Sequence, residues 1–231
     1  MLVAVLLALG AAVLADPICE QRDGDCPKCP LLASFSPTAT LHLSAVEPAL
    51  VRSAAAADAT IRGIAAATNS TADIISFDAP ATGLHTSMFY FCCHALADLA
   101  AMKAALQAMV WQSFVVRYDG FSCNDDMHGS GVTYLHALPS APYQLALFAL
   151  AGQIETALRA AGVAVNHPRQ SLFHMTLGRV REGSAFPVAA VAAALNGTFF
   201  GAHRVCKFEF EGVEIVAEDG CGNTTSAIRA L

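Results

Sequence analysis

The run Ser171-Leu-Phe-His-Met-Thr-Leu-Gly-Arg-Val180 sets a histidine and a threonine two residues apart in apolar surroundings. On a strand, side chains alternate between faces, so His174 and Thr176 share one side while Phe173, Met175 and Leu177 share the other. Upstream, Leu84-His-Thr-Ser-Met-Phe-Tyr-Phe91 repeats the arrangement, with His85 and Ser87 opposite Leu84, Thr86, Met88 and Tyr90. Imidazole titrates near neutral pH, so one ring can accept a proton while a second, protonated, ring donates one to a departing oxygen. Hydroxyls beside them can donate hydrogen bonds to oxygens that gain charge during such a reaction.

A histidine followed two residues later by Ser or Thr is a weak pattern, of which about one copy is expected by chance in a chain of this composition. Four occur, at His42, His85, His128 and His174. His128 falls in an Asp- and Gly-rich loop and reads as incidental. His42 competes with His85 for the first motif; resemblance to a known family favours His85, because such chains carry a strand and helix before their first motif and Thr40 to Ala67 supplies them only then. The remaining histidines, His94, His136, His167 and His203, have no partner pattern and read as surface or loop residues.

The elements that must carry these motifs follow from periodicity and breakers. A strand is predicted over Ala39 to Val46. A helix follows from Pro48, which suits a first helical turn, through Ala-rich sequence to about Ala67. Next come a short strand from Ile74 to Phe77, a turn at Pro80 to Gly83, the His85 strand, and a helix from Ala95 to about Gln112. That helix places Leu96, Leu99, Met102, Leu106 and Met109 in the core. Strands Phe114 to Tyr118 and Gly131 to Ala137 flank a loop from Cys123 to Gly129, and a helix from Pro142 to Ala161 ends at Gly162. The His174 strand, a short helix from Pro187 to Leu195 and a strand-like segment from Val205 to Val216 complete the order. Each half thus has strands, a long helix and one histidine strand, the expectation for an internal structural duplication.

The chain of 231 residues suffices for one large domain or two lobes around a shared core. Residues 1–15, MLVAVLLALGAAVLA, have the length and small-residue ending of a signal peptide and are too short for a membrane span. A cysteine-rich extension over 16–37 and a domain over 38–231 are expected to follow. All eight cysteines lie beyond the leader, an even count that fits disulfides in an oxidising compartment, with connectivity open. Cys26-Pro-Lys-Cys29 reads as a stapled extension after export, or as a redox or metal motif in a reducing compartment. Asn69, Asn196 and Asn223 begin three N-glycosylation sequons, which would mark exposed loops in a secretory route. A formal net charge of −6 with thirteen Lys and Arg argues against a protein that grips long nucleic acid through a basic stripe, but leaves a small anionic substrate open.

Taken together, His85-Thr-Ser87-Met88 and His174-Met-Thr176-Leu177, eighty-nine residues apart and the second followed by Gly178-Arg179, resemble the two motifs of the two-histidine phosphoesterase superfamily. The likeness in strand and helix order covers most of residues 38–216. It implies an α/β (α+β) fold of two pseudo-symmetric lobes, each a mainly antiparallel sheet with helices outside, and an active-site cleft between them. It also implies a metal-independent phosphodiesterase hydrolysing nucleoside or oligonucleotide 2′,3′-cyclic phosphates, which the leader, cysteines and sequons would place outside the cell or in the secretory lumen. His85 and His174 would be the acid and base, with Ser87 and Thr176 binding phosphate. Tyr90 and Tyr134 are candidate base-stacking contacts, and Arg179 a candidate phosphate contact. No cofactor and no metal is implied; the partner would be a nucleotide or short RNA, and the protein a monomer without a membrane span after leader removal. A 2′-5′ oligonucleotide phosphodiesterase or an RNA-end-trimming nuclease is the alternative within the superfamily. Outside it, the alternative is an inactive, disulfide-stapled binding protein.

Overall fold

The computed structural model describes residues 38–42, 48–77, 84–90, 96–125, 131–163, 172–210 and 212–221. The leader, the extension with Cys26 and Cys29, the His128 loop, His94, His167 and the Asn223 sequon lie outside them. Nine strands and four helices occur among the described residues. They are β1 Thr38–His42, α1 Pro48–Ala67, β2 Ile74–Phe77, β3 His85–Tyr90, α2 Leu96–Gln107, β4 Phe114–Asp125 and β5 Val132–Pro139. After these come α3 Ala141–Ala160, β6 Met175–Arg181, α4 Val188–Leu195, β7 Gly201–Val205, β8 Lys207–Phe210 and β9 Val213–Val216.

The strands form two sheets, one ordered β3-β1-β8-β9 and the other β2-β6-β5-β4-β7, with every pairing antiparallel. Helices α1 and α4 pack on the five-stranded sheet, α2 packs on α3 and on β9 of the four-stranded one, and α3 contacts a strand of each sheet, β4 and β3. This is the expected architecture of two antiparallel lobes with helices on their outer faces. The lobes are nevertheless not the two halves of the chain. Strands β1 and β3 pair into a sheet with β8 and β9 from the far end, and β2 crosses to join β6. A simple duplication of consecutive halves is therefore corrected to an interleaved chain with one continuous core.

Amphipathic spacing explains the helices. In α1, Leu50, Ala54, Ala57, Ile61 and Ala65 recur every three or four residues and are buried. Its small residues permit a close approach to β7, where a side chain on Gly201 would meet Leu50 at 2.8 Å and φ is +139°. Helix α2 stops at Gln107, short of the predicted end. Trp111, 3 % exposed, must instead enter the core, where its ring lies 5.8 Å from that of Phe208. Gly162 has the positive φ, 76°, expected of a glycine just past a helix end.

Three strand expectations change. Strand β4 runs on to Asp125 because its last residues still pair with β5, as far as Asp125 opposite Thr133, so the predicted loop begins later. Strand β7 has no counterpart in the sequence reading. Its burial does not alternate and it opens on a positive-φ glycine, yet Gly201 to Val205 pair with Tyr118 to Phe114. The predicted Val205 to Val216 strand divides at Cys206, where the chain leaves one sheet for the other, and again between β8 and β9. Cys206 is bonded there to Cys221, and Cys123 is also held in a disulfide.

Candidate active site

His85 opens β3, and His174 stands immediately before the first residue of β6. These two strands belong to different sheets and touch across the seam between them. On β3 the predicted alternation holds inward: Leu84, Thr86 and Met88 are almost wholly buried, while His85 is half-buried and Ser87 is 6 % exposed. Thr86, between the two motif residues, shares a 2.7 Å hydrogen bond with the hydroxyl of Tyr118 on β4. Burial raises the Tyr118 phenol well above its ordinary range, so the hydroxyl stays neutral and ties one sheet to the other. His42, the rival first-motif histidine, is the direct register partner of His85, and Thr40 that of Ser87.

On the other sheet, the register brings polar residues of four strands to one face. Thr176 lies opposite His136, and His136 opposite Ser122. In the next row Arg179 lies opposite Tyr134 on one side and Ser76 on the other. Strict alternation would send Arg179 to the face away from Thr176. The pairing slips between Leu135 and His136, so that Leu135 meets Gly178 and the extra residue returns Arg179 to the side of Thr176. Gly178 is required there, since a Cβ would lie 2.8 Å from the Phe77 ring of β2.

Arg179 donates to the Ser76 hydroxyl at 3.2 Å, and its guanidinium carbon lies 5.6 Å from the centre of the Tyr134 ring. Tyr134 in turn lies 6.0 Å from His136, and His136 is stacked at 3.8 Å on His174. The His174 Nδ1 lies 3.4 Å from the carbonyl of Leu172. A carbonyl only accepts, so this contact is a hydrogen bond in the tautomer that carries its proton on Nδ1, which leaves Nε2 for proton exchange with a substrate.

The residues predicted on this sheet, His174, Thr176, Tyr134 and Arg179, are thus gathered on one face, with Thr176 8 % exposed and Tyr134 and Arg179 half-buried. Tyr90 ends β3, and its side chain lies outside what is described. Two residues of the site escape the sequence reading. His136, expected at the surface or in a loop, is 3 % exposed within β5. Its signal is the alternation of Thr133, Leu135 and Ala137 around it. Gln144 is easily passed over because glutamine is common on helices; it occupies the stripe of Leu147, Ala151, Ile154 and Leu158, where an apolar residue is due. His203, also expected at the surface or in a loop, is half-buried on β7. Among the described residues, no three His, Cys, Asp or Glu side chains gather into a metal site.

A solved structure of Kluyveromyces marxianus Usb1 with uridine monophosphate superposes with a TM-score of 0.55 at 10% identity, covering 78% of this chain and 98% of that one. The chain has the two-histidine phosphoesterase fold. A second structure of the same Usb1 gives 0.54 at 10% identity over 78% and 97% of the two chains. TT0787 of Thermus thermophilus gives 0.48 at 15% identity over 76% and 87%. No family model and no curated protein matches the sequence.

Proposed function

We propose that this protein is a metal-independent phosphodiesterase that hydrolyses nucleoside or oligonucleotide 2′,3′-cyclic phosphates. The observation that carries this reading is the position of both histidine motifs on β3 and β6, the strands that adjoin across the seam of a two-histidine fold. In the proposed reaction, one imidazole removes a proton from water as its oxygen attacks phosphorus. The other, protonated, gives its proton to the ribose oxygen that leaves, so the cyclic diester becomes a monoester. Ser87 and Thr176 donate hydrogen bonds to the non-bridging oxygens while charge builds there. Arg179, held by Ser76 and Tyr134, offers a further cation on the Thr176 side of the site.

The uridine monophosphate in the Usb1 structure supports a nucleotide as the ligand class. Net charge −6 supports a short substrate over extended RNA. We also propose work in an oxidising, secretory compartment, which the Cys206–Cys221 disulfide and the exposed Asn69 and Asn196 sequons support.

The test is hydrolysis of the four nucleoside 2′,3′-cyclic phosphates, with the product resolved as a 2′- or 3′-phosphate. Turnover of at least one is expected. Silence on these with cleavage of 2′-5′ or 3′-5′ oligonucleotides would replace the cyclic substrate by a linear one. Silence on all of them by folded protein would favour a binding protein.

A further inference from the structure

Two consecutive peptide units precede His174, and both are gripped by one side chain from another element. Gln144 lies in the first turn of α3 and is 7 % exposed. Its carbonyl oxygen accepts from the Phe173 N–H at 3.0 Å, and its amide nitrogen donates to the Phe173 carbonyl at 2.7 Å. The Phe173 N–H belongs to the planar unit that also carries the Leu172 carbonyl, the group that meets His174 Nδ1. The Phe173 carbonyl belongs to the unit that carries the His174 N–H. Gln144 therefore fixes both the acceptor that orients the imidazole and the backbone from which the imidazole projects.

We infer that Gln144 is a positioning residue for His174. The inference rests on the phosphodiesterase reading for its effect on rate, and on geometry alone for its effect on the ring. A side chain with one donor and one acceptor at this length is needed. Asparagine falls one methylene short, ionised glutamate has no donor, and methionine fills the volume with neither group. A glutamine that merely satisfied the buried Phe173 backbone groups would affect stability and nothing else.

The experiment compares wild type with Gln144→Met and Gln144→Asn, each studied well below its melting temperature. The readouts are kcat and KM on a nucleoside 2′,3′-cyclic phosphate and nitrogen NMR of the His174 ring. Gln144→Met is expected to lower kcat about ten- to a hundredfold with KM nearly unchanged, as a displaced catalytic group does. The single Nδ1-protonated tautomer of His174 should give way to a mixture. Gln144→Asn keeps both polar groups but not their full reach; it should show the same changes and carries the test if the methionine variant does not fold. If folded variants keep the wild-type kcat, or keep the wild-type His174 tautomer, the inference is overturned. If folded wild type turns over no phosphodiester yet the variants change the His174 tautomer, the positioning role stands and the phosphodiesterase reading falls; both fall only if folded wild type is silent and the tautomer is also unchanged.

Discussion

At the scale of single residues, the hydroxyls of Ser87 and Thr176 are the groups whose contribution is easiest to isolate. Both are nearly buried, at 6 % and 8 % exposure, so bulk water competes little for their hydrogen bonds. A donor that meets developing charge in such a site contributes far more to the transition state than to the bound substrate. Thr176→Val keeps the shape and removes the donor. It is expected to lower kcat about a hundredfold while leaving KM within a small factor, read by steady-state kinetics on a cyclic phosphate. An equal loss through KM alone would mean that Thr176 binds substrate without stabilising the reaction. His136 acts at the same scale in another way. Its buried ring, stacked at 3.8 Å, gives the His174 imidazole a flat surface to rest on.

At the scale of elements, the seam between the sheets depends on Thr86 and Tyr118, whose hydroxyls join β3 to β4 in the core. Tyr118→Phe leaves the Thr86 hydroxyl buried without this partner and is expected to cost about 1–3 kcal/mol, measured by denaturant unfolding. A pH signature accompanies it. The folded-state pKa of Tyr118 is raised above the ordinary 10.0, so its neutral form is favoured by folding. The associated stability is complete below the unfolded value and is lost as pH rises from about 10 toward the folded value. Wild type should therefore lose stability more steeply than Tyr118→Phe in alkaline solution; parallel alkaline melting curves would show that the phenol does not titrate with unfolding.

Much of this scale is legible in the sequence, because β2, α1, α3 and α4 announce themselves by apolar spacing, Pro48 and Gly162. The candidate motif residues are legible for the same reason, since a polar pair in an apolar strand is conspicuous. What stays hidden depends on long-range register. The slip at Leu135 that swings Arg179 round, the pairing of β7 with β4, and the crossing of His136 under His174 are set by partners distant in sequence. Gln144 looks ordinary until the Phe173 backbone that it pairs is seen beside it.

At the scale of the molecule, the chain threads back and forth between two sheets and closes with a clasp. The Cys206–Cys221 disulfide spans fifteen residues, and Asp219 accepts from the Ser113 backbone and hydroxyl and from Arg204. The Ser113 hydrogen bonds hold the Asp219 carboxyl below its usual range, with Arg204 adding to them. The clasp therefore loses this support as pH falls through the lowered value. Paired Cys206→Ser and Cys221→Ser replacement is expected to cost about 3 kcal/mol of stability. Because the clasp lies on β7, β8 and the entrance to β4 rather than on β3 or β6, kcat of the folded variant should stay near wild type. A variant as stable as wild type by denaturant unfolding would show that the clasp is held by its hydrogen bonds alone.

The central claim is that His85 and His174, carried at the starts of two strands that touch across the seam, act as one acid–base pair. It is tested most directly by hydrolysis of a nucleoside 2′,3′-cyclic phosphate in the presence of EDTA, using wild type, His85→Ala and His174→Ala, each shown to be folded. The account predicts wild-type turnover that survives EDTA and falls at least about a thousandfold in either variant. Turnover abolished by EDTA, or retained by either folded variant, would contradict it.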